Sequence, residues 1–120
     1  MTREAEGARA VSVVVDASAE GVQKYTARVA CDAGEIEAVE PGALEAFFEI
    51  AEGGAGSRFV RARAVDMRGE ARHIQEPTPL FEVRFSEPVE LPSIRLTFET
   101  IIDHAGETVP NESLRFDAIE

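Results

Sequence analysis

Apolar residues along this chain recur mainly at every second position, which is the spacing of strands with one buried face. Residues 24–31 show the alternation most clearly. One face has the side chains of Tyr25, Ala27, Val29 and Cys31, and the other has those of Lys24, Thr26 and Arg28. Similar patterns, separated by turn-prone sequences, predict further strands over residues 9–16, 36–39, 57–66, 81–86, 94–99 and 114–118. The Pro-Thr-Pro segment at 77–79 is predicted to lie outside any central strand, because proline cannot donate a ladder hydrogen bond.

Residues 43–52 fit two different patterns. At helical spacing Leu44, Phe47 and Ala51 form an apolar stripe that ends before a Gly-Gly pair. At a spacing of two, Leu44, Phe48 and Ile50 share one face, as they would in a strand. Local propensity favours one short helix and the neighbouring strands favour another strand, so the sequence leaves both open.

Seven to nine short strands with turns between them predict an all-β antiparallel sandwich of the jelly-roll or immunoglobulin-like kind. The length of 120 residues is that of one domain, and we assign residues 9–120 to it, after a flexible N-terminal segment over 1–8. Regular helices do not separate the predicted strands, which argues against a parallel α/β sheet.

The charge balance narrows the choice of partners. With 23 acidic and 12 basic residues the formal net charge is -11, which repels nucleic acid and anionic membrane surfaces. Lys24 is the only lysine, and this composition is similar to that of proteins from salt-accumulating microbes, although a GC-rich genome would also favour arginine over lysine. No basic segment precedes a long apolar run, so we expect no secretory signal in this chain. A full-length protein would then be cytoplasmic, whereas a domain excised from a longer one could be extracellular or at the cell surface.

Motifs that would carry catalysis are not found. The sequence has no nucleophile elbow, no phosphate-binding loop and no zinc-ligand spacing, so we predict no enzyme, no cofactor and no metal. Asp103, His104 and Glu107 could hold an ion loosely, but an ordinary Asp-initiated turn is the favoured interpretation. Cys31, the only cysteine, is in phase with the apolar face of its strand and is predicted to be a buried small side chain. Sugar binding is disfavoured, because the chain has no tryptophan and one tyrosine.

One segment is unusually basic for so acidic a chain. Its candidate binding residues are Arg58, Arg61, Arg63, Arg68, Arg72 and His73. They could dock an acidic protein partner, a small carboxylate ligand or the acidic face of another copy of this chain. Alternatively, Arg61 and Arg63, which share one strand face, could pair with Glu82 or Glu99 on neighbouring strands. Pairing with acids on neighbouring strands is the favoured interpretation, because surface charges are usually solvated or paired.

The order of strands and turns resembles that of cohesin-like jelly-roll domains. The resemblance rests on five segments and one late turn: residues 11–16, 21–29, 36–42, 57–66 and 79–85, and the turn at 103–106. It implies a non-catalytic recognition module that binds a protein partner, and it assigns no particular binding residue. The alternative is a cytoplasmic accessory domain that binds a small anionic ligand through its arginines.

Overall fold

The computed structural model describes residues 8–32, 34–44 and 47–119, which form eight strands in two antiparallel four-stranded sheets packed as a sandwich. The strands are β1 (Ala8–Val15), β2 (Lys24–Cys31), β3 (Ile36–Pro41), β4 (Phe48–Gly53), β5 (Phe59–Val65), β6 (Thr78–Val89), β7 (Ile94–Ile102) and β8 (Leu114–Ile119). Single 3-10 turns at Leu91–Ser93 and Asn111–Ser113 precede β7 and β8. In the part of the chain described here, no helix is long and apolar enough to cross a membrane.

The eight strands pair antiparallel in a nested order. One sheet has the order β3-β6-β1-β8 and the other β4-β5-β2-β7. Strands pair as β1 with β8, β2 with β7, β3 with β6 and β4 with β5, and these pairs are joined through β1 with β6 and β2 with β5. Each sheet thus contains two of these nested pairs, which gives the all-β antiparallel sandwich that the sequence predicted.

The core lies between the sheets and is built from the inward-facing positions of every strand. Tyr25 on β2 is 2% exposed and its ring stacks on Phe81 of the opposite sheet, with ring centroids 5.8 Å apart. Its hydroxyl donates a hydrogen bond to the Leu80 carbonyl at 3.2 Å, so the polar end of this buried side chain is satisfied. Phe98 packs edge-on against the same ring at 6.3 Å. Burial raises the pKa of Tyr25, which keeps its hydroxyl protonated as the donor.

Most of the predicted strands are confirmed, and β2 has the predicted bounds. Of the two alternatives for residues 43–52, the structure forms a strand from Phe48, and residues 45 and 46 lie outside the described residues. Of the predicted flexible segment 1–8, only Ala8 is described, and it belongs to β1.

The prediction for the Pro-Thr-Pro segment is wrong. Thr78 and Pro79 belong to β6, which is a central strand between β3 and β1. The ladder shifts register between Val13 and Val14, which pair with Phe81 and Pro79, so the proline lies at a bulge near the start of the strand. A bulge breaks the regular ladder, which is where a strand tolerates proline.

Candidate functional site

The six candidate residues lie before, on and after strand β5. Arg61 and Arg63 project from β5 onto the outer face of the β4-β5-β2-β7 sheet, opposite the buried Val60, Ala62 and Ala64. Arg58 lies before β5, where its guanidinium donates to the Asp32 carbonyl at 3.4 Å. The remaining three, Arg68, Arg72 and His73, are exposed on the connection that follows β5.

Arg61 forms the most complete ion pair on this sheet. Its Nε lies 2.9 and 3.1 Å from the two carboxylate oxygens of Glu99, and a terminal nitrogen lies 2.8 Å from Oε1. Glu99 is on β7 and β2 lies between β5 and β7, so the arginine reaches across a whole strand. The hydrogen bond raises the pKa of Arg61 and lowers that of Glu99.

The structure confirms pairing of Arg61 with one of the two acids that the sequence suggested. Glu99 is the partner, but it lies two strands away rather than on an adjacent strand. Glu82 is excluded as a partner because β6 belongs to the other sheet, where its contact is with Arg84 at 3.9 Å. Arg63 instead pairs through its Nε with Glu49 of the edge strand β4.

β2 adds two further cations to the same face. Arg28 lies directly opposite Arg61 in the β2–β5 ladder, and like charges in that relation repel. Both are accommodated because Arg61 turns to Glu99, while the Arg28 guanidinium carbon lies 4.7 Å from the centre of the Phe59 ring. Lys24 lies at the start of the same strand, beside Val65 of β5.

We call the outward surface formed by these strands the basic face. Its strands carry five cations, Lys24, Arg28, Arg61, Arg63 and Arg95, and three carboxylates, Glu49, Glu52 and Glu99. Arg95 pairs with Asp32, which directly follows β2, at 2.8 Å. The chain as a whole has about twice as many acids as bases, so this face reverses the general balance. The sequence placed Lys24 and Arg28 on the polar side of one strand. The sequence did not show that this strand is the neighbour of β5, because paired strands in this sandwich are distant in sequence.

An open cleft of about 610 Å³ lies on the basic face near β4. Its lining residues are Lys24, Tyr25, Thr26, Phe47, Phe48, Glu49, Arg63, Ala64 and Val65. Phe47 is 50% exposed, an unusual environment for a phenylalanine in a chain whose other aromatic rings are largely packed. Apolar and cationic side chains therefore adjoin in one concave site, as they do in many ligand pockets.

Three connections meet at the end of the sandwich where Arg68, Arg72 and His73 lie. Asp66, just after β5, accepts the N–H groups of Glu70 at 2.9 Å and Ala71 at 2.8 Å, and its Oδ2 accepts Nε2–H of His104 at 2.9 Å. Desolvation would raise the pKa of Asp66, but these hydrogen bonds outweigh it and lower that pKa. His73 donates from Nδ1 to the Ala19 carbonyl at 2.8 Å.

The turn interpretation of residues 103–107 is confirmed. Asp103 Oδ1 accepts the N–H groups of Ala105 and Glu107, both at 2.9 Å, which closes an Asp-initiated turn. His104 is engaged by Asp66 and so turns away from those two acids. Among residues 8–32, 34–44 and 47–119, no three His, Cys, Asp or Glu side chains converge as metal ligands would.

Cys31 is buried, as its strand phase predicted. It is 5% exposed, and its Sγ lies 3.4 Å from the Arg58 carbonyl. Burial raises the pKa of the thiol, the nearby Arg58 opposes that effect, and the raised value makes the thiolate scarce.

Comparison of the chain with models of protein families, with curated proteins and with solved structures found no match. The fold assignment therefore rests on strand pairing, and the candidate site on the geometry of the basic face.

Proposed function

We propose that this protein is a non-catalytic recognition module that binds a protein partner through the basic face. The observation that carries the proposal is the convergence of Lys24, Arg28, Arg61 and Arg63 on two adjacent strands of a chain with net charge -11. The resemblance of the sequence to cohesin-like domains supports the same class of function.

The fixed geometry of the face favours recognition of a preformed surface. Arg61 is held by both oxygens of Glu99, and Arg28 lies over the Phe59 ring, so neither side chain has to be ordered from many rotamers on binding. Arginines held in this way present planar donors to a carboxylate. An acidic patch on the partner would complement the face and would speed the encounter by electrostatic steering.

A second candidate is an accessory domain that binds a small anionic ligand. The observation in its favour is the cleft, in which Lys24 and Arg63 line the same concave site. A small acid bound there would touch only the β4 side of the basic face, whereas a protein partner would also cover Arg28 and Arg61.

The test uses charge reversals at two cations of the face that take no part in its ion pairs. Lys24→Glu combined with Arg28→Glu changes two cations that have no carboxylate within ion-pair distance among the described residues. Arg9→Glu with Arg84→Glu is the control, since it makes the same charge change on β1 and β6 of the other sheet, where Arg84 has one contact with Glu82 at 3.9 Å. Arg68→Glu with Arg72→Glu tests the loop arginines in the same way.

Wild type and the three double variants serve as baits for a lysate of the source organism, after thermal unfolding has confirmed that each is folded. We expect a protein that wild type and both other doubles retain and that the Lys24/Arg28 variant loses. That protein is then purified and its affinity for each bait measured directly. Equal affinity for wild type and the Lys24/Arg28 variant would refute the basic face as the interface, and selective loss with the loop variant would move the site to Arg68 and Arg72.

A further inference from the structure

The cleft on the basic face has a cationic floor and an aromatic side. In the β2–β5 ladder Lys24 lies opposite Val65, and Thr26 lies opposite Arg63, so these four outward side chains form one contiguous block. Phe47, one residue before β4, borders the block at the edge of the sheet. The site therefore places a half-exposed ring within one cleft with two positive charges and one carboxylate, that of Glu49.

Both cations retain the capacity to bind an anion. Arg63 contacts Glu49 through Nε, which is one of five N–H donors on the guanidinium. Lys24 has three donors and no carboxylate within ion-pair distance in the described part of the chain. A carboxylate that entered between them would accept charge-assisted hydrogen bonds from two sides.

The volume of the cleft argues against a lone anion as the occupant. At about 610 Å³ it falls within the range of roughly 300–1,000 Å³ that pockets for drug-sized molecules have. An isolated carboxylate or phosphate would leave Phe47 uncovered. A larger group that combines a negative charge with a flat apolar surface would use both parts of the site, since ring–ring contacts add to the burial of apolar area.

We propose that the cleft receives a peptide segment of the partner protein in which an acidic side chain adjoins an aromatic one. The carboxylate lies between Lys24 and Arg63, and the aromatic ring packs against Phe47. This inference rests on the proposed function and specifies which side chains of the partner the basic face recognises, one acidic and one aromatic. The cationic floor supplies the charge complementarity that selects an acidic segment over a neutral or basic one.

The probes are the blocked dipeptides acetyl-Asp-Phe-amide and acetyl-Phe-Asp-amide, added to the ¹⁵N-labelled full chain and followed by amide chemical shifts. We expect the largest changes at Lys24, Thr26, Phe47 and Val65, with saturation at millimolar concentrations, roughly 1–10 mM, as suits one local contact. Replacement of Asp by Asn, or of Phe by Gly, in the better-binding probe should weaken binding by about tenfold, since each removes one of the two recognised groups.

Variants of the protein locate the site. Lys24→Ala and Phe47→Ala should each weaken binding of the dipeptide about tenfold. The matched controls are Arg72→Ala, which removes an exposed cation elsewhere, and Met67→Ala, which removes an apolar side chain that is 67% exposed; both should bind as wild type does. Phe47 and Lys24 are exposed, so their truncation leaves the core untouched, and the amide spectrum of each variant confirms the fold.

Several outcomes would overturn the proposal. Shift changes away from the cleft, no binding by either dipeptide, or equal binding of the Asn and Gly analogues would each do so. Binding of free phenylacetate as tight as that of the dipeptide would identify a small-acid site in place of a peptide site. These outcomes are separate from the test of the proposed function. One combined result separates the two proposals: the Lys24/Arg28 variant loses the partner protein, but neither dipeptide binds the cleft. That result would support the recognition module and refute only the inference about the peptide segment.

Discussion

Replacing Asp66 by alanine tests whether one buried carboxylate holds the loop end of the sandwich together. Asp66 is 9% exposed and accepts hydrogen bonds from two backbone N–H groups and from His104. These contacts close the 66–71 turn on itself and tie it to the connection between β7 and β8. Alanine would leave the N–H groups of Glu70 and Ala71 without their present acceptor, and His104 would lose its partner.

The size of the effect follows from the number and burial of these bonds. A hydrogen bond to a charged group contributes about 1.5–3 kcal/mol, and the three are not additive because removal of the carboxylate also removes its desolvation penalty. We therefore expect Asp66→Ala to lower the free energy of unfolding by about 3 kcal/mol. In a chain of this size that corresponds to a fall in Tm of roughly 10–15 °C.

The assay is thermal unfolding at pH 7, with Asp103→Ala as the matched control. Asp103 also accepts two backbone N–H groups, but in a turn open to solvent, where water can replace the carboxylate. Its loss should lower stability by only about 0.5–1 kcal/mol. Equal losses in the two variants, or a Tm for Asp66→Ala within about 2 °C of wild type, would show that the burial of Asp66 does not set its contribution.

The pH dependence provides a second check on the same residue. The folded state lowers the pKa of Asp66 below the unfolded value of about 3.9, so its stabilisation is fully present above that value. Stabilisation is lost as the pH falls from about 5 through the folded-state pKa, because the folded carboxylate must then be protonated. Asp66→Asn cannot titrate, so the difference in Tm between it and wild type should narrow in that range. A difference that is independent of pH would contradict this reasoning.

Three further predictions concern the backbone, the thiol and the charge. A Cβ at Gly21, which has φ +70°, would lie 1.7 Å from the Ala71 carbonyl oxygen. We expect Gly21→Ala to cost on the order of 4 kcal/mol or more in unfolding experiments, whereas Gly106→Ala, with the same sign of φ and open space, should cost about 1–2 kcal/mol; similar losses would contradict the clash. Cys31 should react with a thiol reagent many times more slowly in the folded protein than in denaturant, and equal rates would contradict its burial. The Tm should rise with added potassium chloride, because screening relieves repulsion among the 23 acids, and a flat response would leave codon bias as the explanation of the composition.

The features that the sequence predicted are those that depend on local alternation. Tyr25 and Cys31 are buried because their strand phase places them inward, and β2 has its predicted bounds. The position of Pro79 in β6 depends on a bulge formed with β1, more than 60 residues earlier in the chain, and no local pattern indicates such a bulge. The residue types around 43–52 could not decide between helix and strand, because pairing of β4 with β5 decides it.

The candidate site shows the same division between local and distant information. The alternation in 57–66 correctly placed Arg61 and Arg63 on one face. Arg28 joins them only because β2 lies beside β5, and Glu99 reaches Arg61 only across the intervening strand. The other four candidate residues are not on the strands of the basic face: Arg58 precedes β5, and Arg68, Arg72 and His73 lie on the connection after it.

The nested strand pairing has a consequence for how the chain acquires its structure during synthesis. The β4–β5 hairpin is the innermost pair, and each pair outside it joins strands that are farther apart in sequence, ending with β1 and β8. β1 is the first of these eight strands to be synthesised, and its second edge is covered only when β8, the last of them, is available. Until then one edge of β1 presents unpaired N–H and C=O groups, which are a template for pairing with another chain. Closing so long a loop is also slow, since its entropy is lost before the contacts form, so the sandwich is complete only once all eight strands are available to pair.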